Sequence, residues 1–375
     1  MNDNDETVKT KSRVPKKRLT ASAVLLFLGG GGLICARTVN GFADLYGFEI
    51  YPYIQKIFAG ISGLFPFSLG EIMIIAGVLL VLFSVVYFIV GMVKRKGRRL
   101  IFLASSGASV LFVLSAILFM FTYGCGINYS RKPFSEIAEL KTGKYTKEQL
   151  LEVLEYTVSK MNSFSLDIVL DEDGHTVLPG DLSDRARAAM TKLSEKYPSL
   201  DSYYPPLKPV MMSELMCYGH ITGVFSFFSM ESNYNQNDVP ENRGFVFCHE
   251  LSHMTGFMRE DEANFISCLA CAVSGDAYLG YSGCYNELIY LLNAYYPEVP
   301  SAEYSRILSM LPENVLKQMR MENEFWDKYK TDFGEAAEVM NDVYLKINHQ
   351  SDGTKSYGRV VDLLIADYYA NISVR

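Results

Sequence analysis

The chain has 375 residues, enough for about two domains and a sizeable core. Apolar residues make up 49% and charged ones 21%, with the apolar excess in the first third, and the net charge of −7 argues against nucleic acid as a partner. The seven cysteines, Cys35, Cys125, Cys217, Cys248, Cys268, Cys271 and Cys284, are scattered and odd in number, which speaks against a zinc ribbon and against a full disulfide framework.

Residues 1–18 are polar and carry Lys9, Lys11, Arg13, Lys16, Lys17 and Arg18, a composition that predicts a disordered basic tail. Three apolar stretches follow, Leu19–Ala36, Ile72–Val93 and Leu100–Gly124. Each is near the roughly 20 residues that a membrane-spanning helix needs. No A-x-A site follows the first and two more spans do, so it is expected to stay uncleaved. The tail and the loop Lys94-Arg95-Lys96-Gly97-Arg98-Arg99 are basic, whereas Lys56 is the only cation between Thr38 and Leu69. The positive-inside rule then places the N-terminus and the basic loop in the cytoplasm, and everything after about Tyr129 outside the cytosol. The expected division is a tail over 1–18, a membrane segment of three helices over 19–128, and a globular part over 129–375.

In the globular part, Thr146–Met161 has helical periodicity, with Thr146 and Gln149 spaced as a capping box. Phe164–Leu170 reads as a short strand followed by the turn Asp171-Glu172-Asp173-Gly174. Leu182 stands where a calcium loop needs its twelfth-position Glu, so the acidic turn is not one. Leu182–Tyr197 predicts a helix, and Tyr203-Tyr204-Pro205-Pro206 breaks it. Ile221–Phe228 predicts a strand, Ser232–Glu241 a polar loop, and almost everything from Asn242 to Val360–Tyr369 is expected to be helical. The expected fold is mainly α, of the α+β kind, with a small β-sheet.

The segment Cys248-His249-Glu250-Leu251-Ser252-His253 carries the chemistry. On a helix, His249 and His253 lie one turn apart on one face and can share a metal. Glu250 follows the first imidazole directly and is placed as general base toward water at that metal. Asn242 is expected to cap this helix and Gly256 to end it. A second helix is expected to begin near Arg259. A third ligand must come from Glu260, Asp261 or Glu262. Glu260 shares its face with Asn264, Ser267 and Cys271, and Glu262 shares its face with Ile266, Leu269 and Val273. A ligand belongs with groups that can hydrogen-bond a ligating histidine, so Glu260 is preferred, with Glu262 the alternative. A third histidine at the sixth position past His253, the metzincin arrangement, is excluded because that residue is Arg259. Tyr278, Tyr281 and Tyr285 are candidate oxyanion donors, although packing suits tyrosines in so Tyr-rich a chain. The predicted strand Ile221–Phe228 suits pairing with an extended peptide, or equally a place in the core. His175 and His220 have no partner motif and are expected to be structural.

The pair of motifs, His249-Glu250-x-x-His253 and Glu260-Asp261-Glu262-Ala263-Asn264, resembles the gluzincin class of zinc metallopeptidases. Over nearly its full length the chain also resembles a family of bacterial membrane proteins with about three N-terminal spans and a HEL-x-H…G-F-x-x-EDEANF signature. The resemblance implies a zincin-like, mostly helical extracytosolic domain anchored in the membrane. It implies Zn2+ held by His249, His253 and Glu260, Glu250 as general base, and a peptide or protein substrate. The gap from His253 to Glu260 is shorter than in better-known gluzincins, so Gly256 must provide a sharp bend. A non-catalytic membrane sensor or assembly factor that keeps the fold is the alternative, and the intact Glu250 argues against it. The spans hold few ionisable groups, which argues against a transporter.

Overall fold

The computed structural model describes residues 15–331 and 359–372, with the single positions 334, 339, 343 and 346 between them. The predicted tail lies outside the described residues, except that Lys16, Lys17 and Arg18 open the first helix instead. Among the described residues, three helices are long and apolar enough to cross a membrane: α1 (Lys16–Thr38), α3 (Leu69–Lys94) and α4 (Arg99–Gly124), with mean hydropathies of 2.0, 2.9 and 2.2. They mark the protein as membrane-associated. Helices α1 and α4 pack along each other, with Thr122 Oγ1 donating to the Gly29 carbonyl at 3.2 Å. A Cβ at Gly29 would stand 3.2 Å from the Phe119 Cα, so the glycine allows the close approach. The most apolar 18-residue window of α3 contains no buried residue.

Between the first two apolar helices lies α2 (Tyr51–Ser62). Tyr51 is fully buried, and the Gln55 amide donates to the Tyr203 carbonyl at 2.7 Å. Tyr51 and Ala59 share one core with Ile127, Phe134 and Phe257. The segment between these spans thus packs with residues on both sides of the 128/129 division. Sequence periodicity had not marked α2 as part of the body.

The body opens with α5 (Lys147–Phe164) and its expected capping box: Gln149 N donates to Thr146 Oγ1 at 3.2 Å, and Thr146 N to Gln149 Oε1 at 2.9 Å. The predicted strand Phe164–Leu170 is absent. Helix α5 runs through Phe164, and the segment makes only an isolated bridge between Leu170 and Thr176. Asp171 Oδ1 accepts from the backbone of Asp173, Gly174 and His175, a local turn that competes with a ladder. Helix α6 (Leu182–Lys196) matches its expected span.

A three-stranded sheet follows, formed by β1 (Lys208–Val210), β2 (Gly223–Ser226) and β3 (Glu231–Asn235), with the short helix α7 (Ser213–Tyr218) between the first two. The order is β1-β3-β2, with β1 parallel and β2 antiparallel to β3, so β2 is an edge. Strand β3 overturns the predicted polar loop over Ser232–Glu241. Its Glu231, Ser232, Asn233 and Asn235 side chains are buried, and apart from Asn233 Oδ1 their polar atoms find partners within the fold. Ser232 Oγ donates to the Glu250 carbonyl at 2.9 Å, Asn235 Nδ2 to the Ile221 carbonyl at 3.0 Å, and Glu231 pairs with buried Lys208. Helices α8 (Pro240–Met254), α9 (Glu260–Ser274) and α10 (Ala277–Tyr295) then form the centre of the body, packed against α5 and α6.

Candidate metal centre

Helix α8 begins two residues earlier than expected, at Pro240, because proline's fixed φ and missing N–H suit a first helical position. Asn242 does not cap it; its amide donates to Glu322 Oε1 at 2.6 Å. The helix ends at Met254, and Gly256 follows with φ +88°, the left-handed conformation that glycine adopts without strain. Arg131 donates to the buried Thr255 carbonyl, at the end of the helix, at 2.9 Å. The bend then places α9 so that Glu260, its first residue, faces the two histidines.

His249 Nε2 lies 3.1 Å from His253 Nε2 and 3.3 Å from Glu260 Oε2. His253 Nε2 lies 3.8 Å from Glu260 Oε1. Ligands at about 2.0–2.1 Å from a tetrahedral metal stand roughly 3.3 Å apart, close to these separations. His253 Nδ1 donates to the Phe257 carbonyl at 2.8 Å, so Nε2 keeps its lone pair toward the cluster. Among the described residues, these three form a group whose ligand atoms lie within 4.8 Å of one another.

The electrostatics agree with a site made for a cation. Burial pushes the His253 imidazole down to about 4, so it is neutral at ordinary pH. Burial would raise Glu260, but the hydrogen bond from His249, with the electrostatic influence of the two neighbouring imidazoles, holds it below its usual value. Burial would lower His249; the hydrogen bond and charge of Glu260 outweigh it, with smaller upward contributions from Glu250 and the Asn264 side chain.

Glu250 is buried, and its Oε2 has no hydrogen-bond partner. Burial raises its carboxyl to about 8, opposed by His249 and reinforced by Glu260. A buried carboxylate oxygen without a donor is costly unless something else completes its surroundings. Strand β2 makes room for it: a Cβ at Gly223 would overlap the Glu250 carboxylate. Phe225 of the same strand has its ring 6.2 Å from that of His253. Sequence reasoning missed Gly223, whose only signal was a glycine entering an otherwise β-rich stretch.

Glu262 points elsewhere, accepting from the Phe134 N–H at 2.9 Å, and burial pushes its carboxyl up to about 7. The candidate oxyanion donors are engaged away from the cluster. Tyr278 donates to the Pro240 carbonyl, Tyr281 to Gln318, and Tyr285 to Glu322 Oε2 at 2.8 Å. His175 pairs with Glu241 at 3.1 Å, and the His220 ring lies 5.4 Å from that of Trp326.

Fold and site define a mostly helical, membrane-associated protein with a small mixed sheet and a partly buried His-His-Glu cluster beside an unpaired carboxylate oxygen. The chain belongs to the family described as "Protein of unknown function (DUF3810)", whose model matches residues 46–365. No curated protein and no solved structure matches the chain.

Proposed function

We propose that the protein is a membrane-anchored, zinc-dependent metallopeptidase of gluzincin type, with His249, His253 and Glu260 as the metal ligands. The observation that carries this reading is the convergence of two imidazole nitrogens and the Glu260 carboxylate, at separations of 3.1–3.8 Å, beside the unpartnered Glu250 Oε2. Zinc bound there would acidify water and polarise a substrate carbonyl. Glu250 would take a proton from the attacking water and return it to the departing amine nitrogen. The Phe257 carbonyl would hold His253 in the ligating tautomer. The edge strand β2, with Gly223 against Glu250, would pair with an extended peptide through main-chain hydrogen bonds. The basic loop between α3 and α4 supports a cytoplasmic position for that end, and with it an extracytosolic body.

The test is elemental analysis of the purified full-length chain, followed by incubation with a mixed peptide library. The expected result is zinc near one per chain in wild type and in Glu250→Gln, none in His249→Ala, and cleavage by wild type alone. Well-folded wild type without zinc refutes the reading.

A further inference from the structure

The site lies close to the ends of the apolar helices. The first backbone N–H groups of α3, from Leu69 and Gly70, donate to Glu231 of β3 at 3.1 and 2.7 Å. A Cβ at Gly70 would stand 2.7 Å from Ser226 Oγ, the last residue of β2. At the end of α4, a Cβ at Gly124 would stand 2.7 Å from the Phe227 carbonyl. Strand β2 therefore starts beneath Glu250, at Gly223, and ends against two span termini, at Ser226 and Phe227. Three residue steps of a strand cover about 10 Å. Whatever the tilt of the strand, the cluster is within that order of distance from where α3 and α4 leave the apolar layer.

An apolar face continues from those termini onto the body. Leu64, Phe65 and Phe67 directly precede α3 and are exposed. Glu71, in the first turn of α3, accepts from Met211 N and Met212 N at 3.0 and 2.8 Å, which fixes these two methionines beside the helix end. Met211 is 63% exposed and Leu215, on α7, is 55% exposed. The charged residue of that helix turns away, since Glu214 accepts from Asn237 at 3.1 Å and Tyr329 at 3.3 Å. Isolated exposed apolar side chains need no explanation, but a run of them continuous with a membrane-spanning helix does. No residue is buried in the most apolar 18-residue window of α3, which must meet acyl chains. What covers α3 therefore reaches the residues locked against its end.

We propose that Leu64, Phe65, Phe67, Met211, Met212 and Leu215 form a lipid-docking face. These side chains enter the interfacial layer of the bilayer beside α3, as aromatic and apolar residues do at membrane surfaces. They hold β2, and with it Glu250, at the membrane surface. On the peptidase reading, on which this consequence rests, the substrate is a polypeptide segment lying at the membrane surface, not a free peptide in solution.

The test uses the full-length chain in lipid nanodiscs and does not depend on activity, so its failure is separate from failure of the peptidase reading. Trp326 is the only tryptophan. In a Trp326→Phe background, Met211→Trp and, independently, Leu215→Trp each place one reporter on the face, both at exposed positions that tolerate the larger ring. The expected result is strong quenching by lipids brominated high on the acyl chain, together with protection from acrylamide in the aqueous phase. Free quenching by acrylamide with no effect of brominated lipid overturns the proposal. Protection from both quenchers also overturns it, because the face is then covered by protein.

Discussion

The cluster makes a quantitative demand on stability that separates the two candidate glutamates. A ligand that binds only the folded state at about a hundred times its dissociation constant stabilises by about 2.7 kcal/mol. One kcal/mol shifts the unfolding midpoint by about 2–4 °C in a body of 150–250 residues, so zinc should raise it by roughly 5–10 °C over chelator-treated protein. Glu260→Ala removes one of three ligands from a partly accessible side chain and should cancel most of this increment, while leaving the metal-free midpoint nearly unchanged. Glu262→Ala behaves in the opposite way. It strands the buried Phe134 N–H, now bonded at 2.9 Å, and removes one of the carboxylates near Arg131 and Arg259. An orphaned buried donor costs about 1–3 kcal/mol, so both midpoints should fall together and the zinc increment should survive. The assay is thermal unfolding of the full-length chain in detergent, with chelator and with zinc. A zinc increment that persists in Glu260→Ala, or one lost in Glu262→Ala, refutes the geometric argument.

Other outcomes follow from separate parts of the structure. Gly223→Ala puts a methyl group where the Glu250 carboxylate sits, so zinc content should be retained while peptide hydrolysis falls by about 10²–10⁴, the usual worth of a general base; undiminished turnover would show that the strand does not position Glu250. Lys208→Ala leaves Glu231 buried without its cation beneath the start of α3, and chemical denaturation should show a loss of about 3–5 kcal/mol. Asp238 is buried and its carboxyl is pushed up to about 7 by burial, with Glu322 adding and Arg243 opposing. Its folded-state value lies above the unfolded one, so the folded state binds the extra proton and stability is lost progressively as pH rises from about 4 to about 7. Thermal midpoints should therefore fall between about pH 4 and 7, and Asp238→Asn, which keeps an acceptor for the Val239 N–H, should flatten that fall.

The helical part of the site was legible because its information is local. Two histidines four residues apart share a helix face whatever surrounds them, and Gly256 marks a left-handed exit from the sequence alone. The preference for Glu260 over Glu262 followed from the residues that each shares a face with. The sheet was only partly legible. Strand β2 lies within the β-rich stretch Ile221–Phe228, whereas β3 reads as a loop because its residues are polar, and their burial depends on Lys208, the Glu250 carbonyl and the Ile221 carbonyl far along the chain. The start of α8 was misread because Asn242 resembles a cap, while its actual partner, Glu322, is 80 residues away.

By itself, the sequence determined three helices apolar enough for a bilayer and the face that carries both imidazoles, since hydropathy runs and helical periodicity need no distant partner. Only the tertiary structure decided which carboxylate meets those imidazoles and that Gly223 clears space for Glu250. It also decided that α2 and the ends of α3 and α4 pack into the same body as the site. The last of these rests on contacts between segments 140–162 residues apart, where buried polar groups such as Gln55, Glu71 and Glu231 find partners that only the fold supplies.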